Sequence, residues 1–244
     1  MKLFRHAKFF GLMSCLLAIA PLAMRAQTFT SNPNLPVPDY PTNGVVTSLT
    51  TSGLSGTIAS ITVTLNLVGT GAGAVNGDYY AELVNSNSTD FAVLLNRVGL
   101  SSSDTNGTGY LDNGFNVTFS DSADYDVHFY QNYSPSLNGN GQLTGTWQPD
   151  GENMSPTSDP SAFDNALNQQ TAMLGSFIGD NPNDTWTLFL QDLGGPGGTG
   201  EVVSWSIDIA TIVPEPTEIS LLAAGFIFLG AGFWRKQNRI SSRR

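Results

Sequence analysis

Of the 20 acidic residues in this 244-residue chain, 18 lie between Gln27 and Val213, and a single histidine, His128, stands among them. A hydroxyl nucleophile needs a base, and one imidazole with no Gly-x-Ser-x-Gly turn builds no triad. His128 falls on the polar side of the alternating stretch Tyr125–Phe129, where a strand histidine is expected to be solvated or hydrogen-bonded. One imidazole is also too few for a histidine-based zinc site. Cys15, the chain's one cysteine, lies in an N-terminal segment expected to be discarded. Its loss leaves no disulfide, thiolate or thiol nucleophile.

Carboxylates remain. Two facing ones suffice for glycoside hydrolysis, and Asp121, Asp124, Asp126, Asp180, Asp184 and Asp192 are of the right type, although their spacing singles out no pair. Asp78, Asp112, Asp121 and Asp192 stand in or beside turns, where carboxylates and backbone carbonyls converge on a hard cation such as calcium. No Asp-x-Asp-x-Asp-Gly loop accompanies them. The residues therefore predict a protein that is not an enzyme, with no catalytic residue and no assigned metal ligand. A structural calcium is the one cofactor that the side chains leave open.

Charge narrows the partners. Lys2, Arg5, Lys8 and Arg25 precede Gln27; Arg235, Lys236, Arg239, Arg243 and Arg244 follow Val213; Arg97 alone lies between. Against 18 carboxylates that body carries −17, although the whole chain is only −10. Such a surface neutralises no phosphate backbone, which excludes nucleic acid, and anionic lipid is equally unattractive. Self-repulsion keeps a body of this kind soluble.

The elements that must position these groups have period two. Ile61–Leu67, Phe115–Phe119, Tyr125–Phe129, Trp186–Leu190 and Val203–Ile209 each alternate apolar and polar residues, the mark of a strand with one face in a core. Val45–Thr50, Tyr79–Val84, Phe91–Leu95 and Gln142–Trp147 are further strands. Turn formers such as Asn76-Gly77-Asp78, Asp112-Asn113-Gly114 and Gly194-Gly195-Pro196-Gly197-Gly198 separate them. Many short strands so spaced predict an all-β fold, an antiparallel sandwich or jelly roll, in one domain over residues 27–212. One short helix is expected over 160–172, with Asp159 as cap and Pro160 at its first position. The core is expected to rest on Trp186, Leu188, Val203, Trp205 and Ile207, on two strands joined as a final hairpin.

Several motifs stand in order: Gly77-Asp78-Tyr79-Tyr80-Ala81-Glu82-Leu83-Val84, Gly114-Phe115-Asn116-Val117-Thr118-Phe119-Ser120-Asp121, Leu143-Thr144-Gly145-Thr146-Trp147, Asp184-Thr185-Trp186-Thr187-Leu188 and Gly200-Glu201-Val202-Val203-Ser204-Trp205. Together they resemble the P/Homo B domain found beside subtilisin-like proprotein convertases and, by itself, in bacterial surface proteins. The resemblance covers residues 29 to 210 and implies a galactose-binding-like β-sandwich. Val68-Gly69-Thr70 stands where that family has a His-Thr pair, and the connection from Asp150 to Met173 is longer than the family's.

Both ends read as targeting signals. Lys2, Arg5 and Lys8 lead into an apolar stretch from Phe9 to Ala20, the layout of a signal peptide, placed at residues 1–26. At the other end Val213, Pro214, Glu215 and Pro216 precede an apolar run from Ile219 to Trp234, with Arg235 and Lys236 behind it. As a helix that run is roughly 24 Å long, short of the ~30 Å hydrocarbon core, and Trp234 and the basic pair make up part of the difference at the interface. The basic cluster marks its own side as cytoplasmic. Motif, span and basic tail, residues 213–244, resemble the PEP-CTERM sorting signal of Gram-negative envelope proteins. The resemblance implies an exosortase as partner, a transient stay in the inner membrane, and release to the cell surface or medium of an exopolysaccharide-producing cell.

The expected role is a structural or interaction module meeting surface glycans or envelope proteins. A carbohydrate-binding module using Tyr79, Tyr80, Tyr130 or Tyr133 as stacking platforms is one alternative. A divergent hydrolase using paired carboxylates is the other.

Overall fold

The computed structural model describes residues 23–70, 74–195 and 198–213. Ten strands account for the regular structure: β1 (Ala23–Ser31), β2 (Leu35–Val37), β3 (Val45–Thr50), β4 (Thr57–Thr70), β5 (Tyr79–Asn85), β6 (Phe91–Asn96), β7 (Gly114–Phe119), β8 (Leu143–Trp147), β9 (Thr185–Asp192) and β10 (Thr199–Val213). One sheet has the order β1-β10-β4-β7-β8, with β2 also paired to β10, and the other has the order β3-β9-β5-β6. The chain is all-β, and no helix among the described residues is long and apolar enough to cross a membrane.

Alternation explains how these strands share a core. Ile61, Val63, Leu65 and Leu67 on β4 are buried, as are Ala81 and Leu83 on β5 and Trp186, Leu188 and Leu190 on β9. Side chains two apart fall on one face, so each strand offers one continuous apolar stripe. The stripes of both sheets meet in a single buried cluster that includes Phe115, Val117, Trp205 and Ile207 from the first sheet and Tyr79, Leu83, Trp186 and Leu188 from the second.

The two tryptophans belong to different sheets, Trp186 on β9 and Trp205 on β10, so the expected final hairpin is not formed. The glycine loop between them carries the chain from one sheet to the other. Each indole finds an acceptor: Trp186 Nε1 donates to Thr51 Oγ1 at 3.1 Å and Trp205 Nε1 to Thr47 Oγ1 at 3.4 Å. The second bond joins β10 of one sheet to β3 of the other.

Other expectations change for identifiable reasons. Val203 was expected in the core, but the register of β10 on β4 slips between Val202 and Ser204. This bulge transfers the inward position to Val202, which is completely buried, and leaves Val203 half-buried. An inserted residue resets a period-two pattern. The sheets are not wholly antiparallel, because β7 and β8 pair in parallel. Tyr125–Phe129 is not a strand: Asp126 bridges Gln148 once, and the chain then turns as Tyr130 N–H donates to Val127 O at 3.2 Å. The helix expected over 160–172 is two 3-10 segments, Pro160–Asn168 and Leu174–Phe177. Between them Gln170 bridges Glu152 and Ala172 bonds both Gly151 and Val93, which draws the backbone out of helical conformation. β1 begins at Ala23, so the cut expected after Ala26 falls inside it.

Candidate metal centre

Four segments bring polar groups together beside β6. Beyond β8 the chain continues alongside β6, where Asp150 N–H donates to Leu94 O at 3.2 Å and Gly151 N–H to Val93 O at 2.9 Å. Gly151 has a φ of 68°, the left-handed region that glycine enters without strain, and it separates Asp150 from Glu152. The segment after β7 lies against the same extension, with Val127 N–H donating to Gln148 O at 3.1 Å, and delivers His128. The return from 168 supplies Gln170, and Asn96 ends β6.

His128, Asp150 and Glu152 are all buried, and one ligand atom from each lies within 4.8 Å of the other two. His128 Nε2 faces the Leu100 carbonyl oxygen at 3.1 Å and Nδ1 faces Asp150 Oδ2 at 3.0 Å. Glu152 Oε2 is 3.9 Å from the same Nδ1. Asp126 Oδ1 accepts the His128 backbone N–H at 2.7 Å, and its Oδ2 accepts from Gln170 Nε2 at 2.7 Å. Asp150 Oδ2 also accepts the Asn96 backbone N–H at 3.0 Å. Asp150 Oδ1, both carboxylate oxygens of Glu152 and Asn96 Oδ1 are buried and accept no hydrogen bond.

Burial alone would lower the His128 pKa, but the charge and hydrogen bond of Asp150, followed by the charge of Glu152, raise it to about 9. Burial, reinforced by Asp150, pushes Glu152 well above the usual carboxylate range. Asp126 moves the same way, through burial and then the Asp150 charge. The sequence placed His128 on a polar strand face, solvated or hydrogen-bonded; it is 0% exposed, and both ring nitrogens lie at hydrogen-bond distance from partners. The fold also supplies two carboxylates to one imidazole, a donor set that counting histidines misses. Asp150-Gly151-Glu152 was the only local signal, a glycine between two carboxylates in a run with no basic residue.

Of the aspartates named for calcium, the structure brings Asp78 and Asp192 together and sends the other two elsewhere. Asp112 accepts from the Tyr130 hydroxyl at 2.6 Å and from Gln131 Nε2 at 2.8 Å. Asp121 accepts the backbone N–H groups of Leu174 at 3.1 Å and Gly175 at 2.6 Å. At the Asp78–Asp192 corner, burial raises the two pKa values to about 6 and about 7, against the opposing pull of Arg97 on Asp78. Arg97 Nη2 stands 3.9 Å from Asp78 Oδ1. Gly194 closes this corner, where an added Cβ would lie 2.1 Å from Asp78 Oδ2.

The six aspartates weighed as hydrolytic pairs each either engage other groups or lie on the surface. Asp180 accepts from Asn85 Nδ2 at 3.2 Å, Asp184 from the Asn87 N–H at 3.1 Å, and Asp192 from the Gly194 N–H at 3.0 Å. Asp124 lies on the surface. Of the tyrosines, Tyr79 and Tyr130 are buried, and Tyr80 donates to Glu82 Oε2 at 2.6 Å. Tyr133 is 38% exposed and stacks on Tyr125, itself 49% exposed, with ring centroids 4.0 Å apart and planes 16° from parallel. Trp186, Leu188, Trp205 and Ile207 occupy the core as expected. Val213 ends β10, and Pro214, Glu215, Pro216, Ile219, Trp234, Arg235 and Lys236 lie outside the described residues.

The chain matches no family model and no curated protein sequence. Its structure aligns with the Aeromonas sobria serine protease in complex with the chaperone ORF2 at 16% identity and a TM-score of 0.40, covering 80% of this chain and 28% of that one. The Aeromonas sobria serine protease on its own aligns at 15% identity and a TM-score of 0.36, over 79% of this chain and 28% of that chain.

Proposed function

We propose that this chain is an exported, non-enzymatic envelope or extracellular protein. Its precursor is held in the inner membrane by the tail, and an exosortase processes it at Pro214-Glu215-Pro216. The body then acts outside the membrane as a structural or interaction module, a β-sandwich of jelly-roll type in which β7 and β8 pair in parallel.

The observation that carries this reading is the position of the motif. The compact unit spans Met24–Pro214 and β10 ends at Val213, so the proline-flanked glutamate begins where the ladder stops. Cleavage there would leave every strand intact. Two prolines around one residue disfavour helix and central strand, which suits recognition by a processing enzyme. The acidic composition between the two targeting segments suits an exposed, soluble destination.

The test follows the precursor in its own host with and without the exosortase. The wild-type chain should lose its tail and reach the surface or medium. Glu215→Ala, or loss of the exosortase, should leave it full-length in the inner membrane. Equal processing in all three would exclude the sorting role.

A second reading has its own support in the stacked, exposed pair Tyr125 and Tyr133, a flat aromatic surface of the kind on which sugar rings pack. Binding on a glycan array that is lost in Tyr133→Ala would make the body a carbohydrate-binding module.

A further inference from the structure

We propose that His128, Asp150 and Glu152 bind one divalent transition-metal ion, with zinc or manganese the ions best suited, and that this ion ties the connection from Asp150 to Met173 to β6 and to the segment after β7.

Hydrogen-bond accounting comes first. Buried polar atoms are almost always paired, yet three carboxylate oxygens beside one imidazole, Asp150 Oδ1 and Glu152 Oε1 and Oε2, meet no N–H or O–H donor, and a proton shared between the two carboxyl groups is the alternative to a cation. Glu152 is 0% exposed, and the Oε2 that accepts no hydrogen bond lies 3.9 Å from His128 Nδ1. Two buried carboxyl groups, Asp150 and Glu152, face one imidazole, so a protonated ring balances only one of them. Buried charge in such excess calls for a cation or for protons.

Geometry comes second. Ligand atoms each ~2.1 Å from one ion are about 3.0 Å apart at a right angle and about 4.2 Å apart in line. The observed separations from Nδ1, 3.0 Å to Asp150 and 3.9 Å to Glu152, fall in that interval. A metal-bound imidazole characteristically donates its other N–H to a carbonyl or carboxylate, which fixes the ring and its tautomer. His128 Nε2 is placed to do so, 3.1 Å from the Leu100 carbonyl, which leaves the Nδ1 lone pair for an ion. Asp126 holds the His128 backbone, and Gln170 links Asp126 to the Asp150 carbonyl at 3.1 Å. One nitrogen with carboxylate oxygens suits zinc, a borderline ion, or manganese, a harder ion bound through carboxylates, better than calcium, which takes oxygen ligands.

The test uses the full chain purified in detergent. Elemental analysis before stripping, followed by Co²⁺ titration of the stripped protein with visible spectroscopy, should give about one equivalent of metal and ligand-field bands. Stripping should lower the melting temperature, and Zn²⁺ should restore it. Glu152→Gln keeps the side-chain volume but removes the charge, and should weaken Co²⁺ binding at least tenfold. Should that variant not fold, electron–nuclear double resonance on the Mn²⁺- or Cu²⁺-loaded wild type should show nitrogen coupling from one imidazole. Three results would overturn the proposal: no binding of Co²⁺ or Zn²⁺, equal binding by wild type and a folded Glu152→Gln, or a bound ion without imidazole coupling. A melting shift with Ca²⁺ alone would place the cation elsewhere, and would also overturn it.

Discussion

Trp205→Ala removes the largest side chain that β10 contributes to the shared core, together with an indole N–H that reaches the opposite sheet. Trp205 is 1% exposed, pairs with Leu65 across β4 and donates to Thr47 of β3. Burying a tryptophan removes on the order of 200 Å² from water, or about 5 kcal/mol at ~25 cal/mol/Å². Alanine keeps part of that area and the surroundings collapse partly into the space, so the expected loss is about 3–5 kcal/mol, as is typical of such truncations. A domain of this size is stable by only about 5–15 kcal/mol, so the variant should be unfolded or close to it at 37 °C. Chemical denaturation followed by tryptophan fluorescence, with Trp186 still present as reporter, measures the loss. Trp205→Phe keeps most of the apolar area and gives up the weak 3.4 Å hydrogen bond, so it should cost far less. A cooperative Trp205→Ala transition within about 1 kcal/mol of wild type would refute the claim that this side chain joins the two sheets.

Three further outcomes follow from particular residues. Val202→Ser should cost about 1.5–3 kcal/mol, while Val203→Ser costs a fraction of that, because the bulge turns Val202 inward; equal costs in denaturant melts would contradict the register. Gly194→Ala should destabilise by about 1–3 kcal/mol, since the new Cβ meets Asp78 Oδ2 in the closed corner, and a neutral melt would show that the corner yields. Burial raises Asp78 to about 6 and Asp192 to about 7 in the folded chain, with Arg97, Asp39 and Tyr79 as the groups they face. Their folded values exceed those of the unfolded chain, so their stabilising contribution is complete below about pH 4 and is lost as pH rises through 6 and 7. Asp192→Asn should therefore flatten the fall in melting temperature between about pH 4 and pH 7, and an unchanged slope would remove the pair as its source.

Strand periodicity made most of the sheets legible. The apolar positions of Ile61–Leu67 and Phe115–Phe119 alternate without interruption, those of Trp186–Leu190 with Phe189 as the one apolar residue on the outer face, and those strands lie where the pattern puts them. The failures share a cause, since each depends on a partner that local pattern does not contain. Val203 alternates correctly until a bulge against β4 resets its phase. Tyr125–Phe129 alternates as a strand does, yet only Asp126 finds a bridge, and Val127 and His128 are both buried although they are neighbours. The apolar spacing across 163–177 matches a helix, but Gln170 and Ala172 are drawn into backbone bonds with Glu152, Gly151 and Val93. The same long-range pairing builds the His128 cluster. Its ligands come from two segments, after β7 and after β8, whose juxtaposition depends on the bridge of Asp126 to Gln148 and the pairing of the Asp150 region with β6. Residue types could name the aspartates, but only the fold shows Asp78 beside Asp192 and Asp112 committed to Tyr130.

The most direct measurement of the account is the intact mass of the mature protein recovered from its host's surface or medium. Export and sorting predict a polypeptide that has lost its N-terminal leader and ends between Val213 and Pro216, with no residue of the apolar run attached. A recovered chain that still runs from Met1 to Arg244 would contradict that claim.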